Sequence, residues 1–211
     1  MNVMRDVAVE AVAGVKIVHK SDDLIAFLQP QCAAAIWNRQ PARDFQTWID
    51  ALDPDVLPNG RMTLHLEDLR GALAVLCDDA QLPPCAQSDF LINDVVALSR
   101  LFARLMRAPY LRVRLQAVTT NACRRFHVDG ITARLVCTYR GTATQYGISR
   151  GGADPTDIFT VPTGAPILMR GTHWPPLPAS GLLHRSPPIE HTGQTRLVLV
   201  IDPVFDPEEA I

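Results

Sequence analysis

The apolar period of this chain changes near Ala108-Pro109, and that change limits what the chain can fold into. Before it, apolar residues recur every three to four positions. From Tyr110 onward they recur every second position, as in Leu111, Val113 and Leu115 and again in Leu135, Cys137 and Tyr139. The first spacing lines one face of a helix and the second one face of a strand. The sequence therefore predicts an α+β protein, with a helical N-terminal half packed on a β-structured C-terminal half.

In the first half, Ser21-Asp22-Asp23 offers an N-cap ahead of Leu24, Ile25 and Leu28, and Ala33 to Trp37 reads as a further turn or two of helix after Pro30. Pro41 suits a first helical position ahead of Phe45, Trp48, Ile49 and Leu52. Thr63 to Ala80 and Ser88 to Met106 read as amphipathic helices separated by Pro83-Pro84. In the second half, Gly, Pro and Thr punctuate short alternating runs near 111–118, 123–128, 132–139, 144–148, 157–161, 166–171, 181–185 and 195–202. Eight short strands are what a jelly-roll or cupin-like double-stranded β-helix requires. Residues 1–108 are thus expected as a mainly helical region and 109–211 as a β-rich core, the two forming one compact unit.

Composition removes several function classes. The 211 residues carry 20 Lys plus Arg against 22 Asp plus Glu, a net charge of -2, so no overall basic field exists to hold nucleic acid or an anionic membrane. The cluster Arg100, Arg104, Arg107, Arg112 and Arg114 lies near Asp89 and Asp94 without interleaved aromatics and reads as a solvated face. Arg5, Asp6, Glu10 and Lys16 break up the first 20 residues, which lack the apolar run of a secretory signal, and no window is apolar enough to span a bilayer. The five cysteines form no C-x-x-C pair, which argues against a disulfide framework and a cysteine-rich zinc site. A cytoplasmic protein is expected.

The chemistry-bearing residues are histidines. Three of six, His173, His184 and His191, fall within 19 residues of the β-half, and His127 is followed at i+2 by Asp129. Side chains at i and i+2 leave a strand on one face, so an imidazole and a carboxylate can point at one spot. A third imidazole from a distant strand completes a two-histidine, one-carboxylate facial set that leaves half of an octahedral metal open. His184, at the end of the apolar run Gly181-Leu-Leu, is the first candidate. His191, in a polar turn, and His173, before Trp174-Pro-Pro, compete for the same place, and His173 also suits a substrate contact.

The pattern His127-x-Asp129, then His184, then Arg196 twelve residues later on the last strand, is similar to the Fe(II)/2-oxoglutarate-dependent oxygenases, which are built on a double-stranded β-helix. More closely, the segments RFHVDGITARLVCTYRGTATQYG, LLHRSPP and TRLVLVIDP resemble a bacterial family, domain of unknown function 1826, over about residues 110–205. The oxygenase resemblance implies His127, Asp129 and His184 as Fe(II) ligands and Arg196 as the anchor for the far carboxylate of 2-oxoglutarate. A guanidinium suits that task because it offers two parallel donors and stays charged. Tyr139 is either a phenol donor to the bound acid or a core tyrosine. The implied activity is hydroxylation of a small-molecule or peptide substrate. The alternative is a non-catalytic Zn(II)-binding protein of metal homeostasis, which needs the three ligands and no anchor.

Other chemistries lack support. There is no G-x-x-x-x-G-K-[ST], no G-x-G-x-x-G and no G-x-S-x-G. Nothing near Cys123 or Cys137 marks either thiol as activated, so a cysteine hydrolase is disfavoured.

Overall fold

The computed structural model describes residues 14–175, 181–206 and 208. Most of the N-terminal stretch considered as a signal lies outside these residues. In chain order the strands are β1 (Val15–Val18), β2 (Ala34–Trp37), β3 (Gly60–His65), β4 (Tyr110–Val118), β5 (Ala133–Arg140), β6 (Gln145–Ile148), β7 (Phe159–Thr160), β8 (Pro166–Arg170), β9 (Leu182–Arg185) and β10 (Arg196–Val204). The α-helices are α1 (Arg43–Ala51), α2 (Leu69–Asp79) and α3 (Ala86–Met106), and Ser21–Leu28 is a 3-10 helix.

Seven strands form one sheet in the order β1-β2-β8-β5-β10-β4-β3, and three form a second in the order β7-β6-β9. All pairs are antiparallel except β1 with β2. A single bridge between His127 and His184 carries the chain along the free edge of β9. Antiparallel strands that alternate between two facing sheets make a jelly roll.

Alternation along the strands sorts the core into two layers. Leu135, Cys137 and Tyr139 of β5 and Leu197, Leu199 and Ile201 of β10 pack with Leu91, Val95, Leu98 and Phe102 of α3. Val136 and Val198, one residue out of step, pack instead with Tyr146 and Leu182 of the small sheet. The helices and the small sheet therefore cover opposite faces of the large sheet. Each fully buried leucine or phenylalanine contributes roughly 1.5–3 kcal/mol.

The N-terminal half departs from the expected helices at two places. Ala34–Trp37 is a strand, because it lies between β1 and β8 with Ala34, Ala35 and Ile36 buried, and sheet pairing outweighs the helix preference of alanine. Gly60–His65 is the edge strand beside β4, and the helix begins only at Leu69. Strands from before residue 108 thus share a sheet with those after it. In the second half, the expected strand at 123–128 is a loop with one bridging residue, since 122–125 are exposed and only His127 pairs. The other seven expected strands are present, each within about two residues of its expected bounds.

Candidate metal centre

His184 sits on β9 opposite Tyr146 of β6, and the pairing of β9 with β6 fixes the strand that carries it. On the other side, the main chains of His127 and His184 exchange both N-H to O bonds at 3.0 Å. The two imidazoles consequently lie side by side, with ring centroids 4.5 Å apart. His127 Nδ1 is 2.8 Å from the carbonyl of Arg125 and donates to it as the Nδ1-H tautomer, which leaves the Nε2 lone pair free to bind a metal.

The Asp129 loop is held by the end of β8. Gly171 N-H donates to Thr132 O at 2.9 Å, Thr172 N-H to Asp129 O at 2.9 Å and His173 N-H to Ile131 O at 3.0 Å. This approach depends on Gly171, where a Cβ would come within 1.9 Å of the Ile131 carbonyl and 2.7 Å of that of Asp129. The result places Asp129 Oδ2 3.1 Å from His184 Nε2, and Asp129 Oδ1 3.5 Å from His127 Nε2. Oδ2 is buried, yet it has no hydrogen-bond partner, so the close His184 nitrogen lacks the alignment of a donor. One ligand atom from each of the three residues falls within a set spanning 4.8 Å, and among the described residues no other such group forms.

These donors fit a metal ion. Bonds of about 2.1 Å at right angles place neighbouring ligand atoms about 3 Å apart. The His184-to-Asp129 separation matches that spacing, and a buried carboxylate oxygen without a hydrogen bond, close to an imidazole nitrogen, is a pair that a cation satisfies. Burial pushes the Asp129 carboxyl up, but His184, Arg134 and His127 together outweigh it and hold the group below its ordinary value.

His173 and His191 are exposed and do not join the three. His173 contributes only its backbone to the Asp129 loop, and His191 lies in a turn with φ 64°. Tyr139 does not face the site. Its ring is fully buried against Phe45 on the helical face of β5, and its hydroxyl donates to Asp94 Oδ2 at 2.7 Å. Of its two expected roles, phenol donor to a bound acid or core tyrosine, Tyr139 takes the second, and the first is corrected.

Arg196 does point between the sheets, on the same face of β10 as Val198. It is 2% exposed. Its Nε donates to Thr142 O at 2.6 Å and its Nη2 to Thr138 Oγ1 at 3.5 Å, and among the described residues it has no carboxylate partner. Burial without a counter-charge pushes its pKa down to about 10. Gly141, with φ +77°, lets β10 come close here, since a Cβ would meet Thr195 O at 2.8 Å and Arg196 Cγ at 3.1 Å.

The sequence reading missed a half-buried ionic chain beside the ligands, in which Asp202 alone is fully buried. Arg134 donates from Nη1 to Asp129 Oδ1, and from Nε and Nη2 to the two oxygens of Asp202 at 2.7 and 2.9 Å. Arg114 Nη2 reaches Asp202 Oδ2 at 3.3 Å. The available signal was parity: Arg134 shares its face of β5 with Val136, and Asp202 its face of β10 with Val200 and Val198, so both charges project between the sheets.

A family model described as "Protein of unknown function (DUF1826)" matches residues 19–202. No curated protein matches the chain. Among solved structures, the chain is similar to dioxygenase for auxin oxidation 1 from Arabidopsis thaliana, solved as a 2-oxoglutarate complex. The TM-score is 0.50 at 9% identity, covering 92% of this chain and 93% of that one. The rice dioxygenase for auxin oxidation gives 0.49 at 8% identity, over 92% and 83% of the two chains. A Pseudomonas putida prolyl-4-hydroxylase gives 0.46 at 9%, over 88% and 98%. At such identities, the first likeness shows a shared fold and nothing about activity.

Proposed function

The chain belongs to the DUF1826 family of proteins of unknown function, and from its site we propose that it is a mononuclear non-haem Fe(II)/2-oxoglutarate-dependent oxygenase that hydroxylates an organic substrate. His127, Asp129 and His184 would hold the metal. Two neutral imidazoles and one carboxylate on one side of an ion leave the opposite side open, which distinguishes a reactive site from a closed structural one. When bound, iron and 2-oxoglutarate together supply an oxidation by dioxygen, with the cosubstrate converted to succinate and carbon dioxide as the substrate gains a hydroxyl.

The chain's own residues supply placement and charge. The His127–His184 backbone bridge fixes the imidazoles, and the carbonyl of Arg125 sets the tautomer of His127. Asp129 stays ionised at working pH because its carboxyl is held below its ordinary value. Arg196 carries the reading furthest: a buried guanidinium without a carboxylate partner is costly unless a ligand supplies one. A dicarboxylate that reaches the metal with one end and Arg196 with the other satisfies that need.

The test is anaerobic addition of Fe(II) and 2-oxoglutarate to the metal-free protein. A visible charge-transfer band, followed by succinate when oxygen is admitted, supports the reading. Stoichiometric zinc with no response to 2-oxoglutarate would instead support a zinc-binding protein.

A further inference from the structure

Asp129 has two carboxylate oxygens, and they are in different environments. Oδ1 accepts from Arg134 Nη1, whereas Oδ2 is buried with no hydrogen bond and faces His184 Nε2. Arg134 is not free to turn away, because its Nε and Nη2 are held by both oxygens of Asp202, which is 3% exposed. A guanidinium gripped in this two-point fashion has a fixed plane, so its remaining donor has a fixed direction. Asp202 is in turn tied to Arg114 of β4 at 3.3 Å. The chain Arg114–Asp202–Arg134–Asp129 therefore runs from the body of the large sheet to the ligand set.

We propose that Arg134, locked by Asp202, is a positioning residue that restricts Asp129 to one-oxygen coordination through Oδ2 and keeps a further metal position open. The inference rests on the metal reading above. A carboxylate with both oxygens available can chelate the ion and occupy two positions. A site that must also accept both donor atoms of an oxo-acid and dioxygen has none to spare beside its three protein ligands. Arg134 removes that option by occupying Oδ1. Outer hydrogen bonds of this kind typically govern metal affinity by about 10–100-fold.

The test uses Co(II), whose visible spectrum reports coordination geometry, with the full chain and three variants. Arg134→Met frees Oδ1 while Asp202 keeps Arg114. Arg134→Lys keeps the charge without the fork, and Asp202→Asn loosens the grip on Arg134. Circular dichroism selects the variants that fold. For folded Arg134→Met, Oδ1 is free to join Oδ2 on the ion, so the Co(II) visible spectrum should shift to the weaker absorption of a higher coordination number. Arg134→Lys should restore the original spectrum only in part, and Asp202→Asn should move it the same way as Arg134→Met to a smaller extent. If Arg134→Met does not fold, the other two variants carry the same readout. An unchanged spectrum in the folded variants would overturn the positioning role alone. Failure of the unaltered chain to bind Co(II), or binding that survives His127→Ala, would overturn the metal reading and this inference with it.

Discussion

Replacing Arg196 by methionine should stabilise the protein and abolish its response to 2-oxoglutarate. The side chain is buried with no counter-charge, and burial pushes its pKa down to about 10. At about 1.4 kcal/mol for each tenfold change in proton affinity, that drop corresponds to a cost of about 3 kcal/mol for holding the charged form in the folded state. Methionine removes this cost and fills most of the space with a flexible apolar chain. It also strips the Thr142 carbonyl and the Thr138 hydroxyl of a donor, a loss of about 2 kcal/mol for the two bonds. The net gain is about 1 kcal/mol, or roughly 2–4 °C in Tm for a domain of this size.

The sign of the pH dependence is fixed. A base whose folded pKa lies below its unfolded value is destabilising at every pH below about 10, and the penalty is relieved only as pH rises beyond that. The stability gain of the variant should therefore be constant between about pH 6 and 9. Thermal unfolding with Mn(II), with and without 2-oxoglutarate, is the assay. At 100 times its Kd the cosubstrate should add about 2.7 kcal/mol to the unaltered chain and nothing to the variant. A variant that loses stability, or that is still stabilised by 2-oxoglutarate, would refute the assignment of Arg196 as an unpaired cation awaiting a ligand.

Three further outcomes follow from the same geometry. His127→Ala and Asp129→Ala should each remove bound metal while far-ultraviolet circular dichroism stays unchanged, because both side chains lie outside the two apolar clusters; retained metal by elemental analysis would contradict the ligand set. Metal affinity should fall on acidification, because protons compete with the ion for the imidazole nitrogens. An affinity flat from about pH 5 to 8, measured by isothermal titration, would exclude histidine ligation. Gly171→Ala should lower stability by roughly 1–3 kcal/mol in denaturant unfolding and weaken metal binding as well, because its Cβ would press on the backbone of the Asp129 loop; unchanged metal affinity would show that the loop's position does not depend on this contact.

The second half of the chain was legible because its strands have one apolar and one mixed face. Leu111, Val113 and Leu115 alternate cleanly with Arg112, Arg114 and Gln116, and β4 occupies Tyr110–Val118. The long helix α3 was equally plain from Leu91, Val95, Leu98 and Phe102. By contrast, Ala34–Trp37 is buried between two other strands, so its continuous apolar run carries no period that separates strand from helix. Gly60–His65 failed for a different reason. As an edge strand only four residues ahead of α2, its Met62 and Leu64 merge into the helical spacing of Leu66, Leu69 and Leu73.

The H-x-D pair and its distal histidine could be proposed because i, i+2 geometry needs no tertiary knowledge. The structure adds that the loop bearing Asp129 is positioned less by a strand than by Gly171 and the backbone of 171–173. Tyr139 keeps two readings in the sequence because parity within β5 says which residues share a face, while only packing says which face meets the helices. Arg134 and Asp202 went unread since their pairing joins positions 68 residues apart.

Anomalous diffraction from a crystal soaked in Mn(II) would locate the ion that these three side chains are proposed to hold. One strong peak is expected about 2.0–2.2 Å from His127 Nε2, Asp129 Oδ2 and His184 Nε2, with Asp129 Oδ1 still on Arg134. A peak bound elsewhere, or no peak between these three side chains at saturating metal, would contradict that assignment.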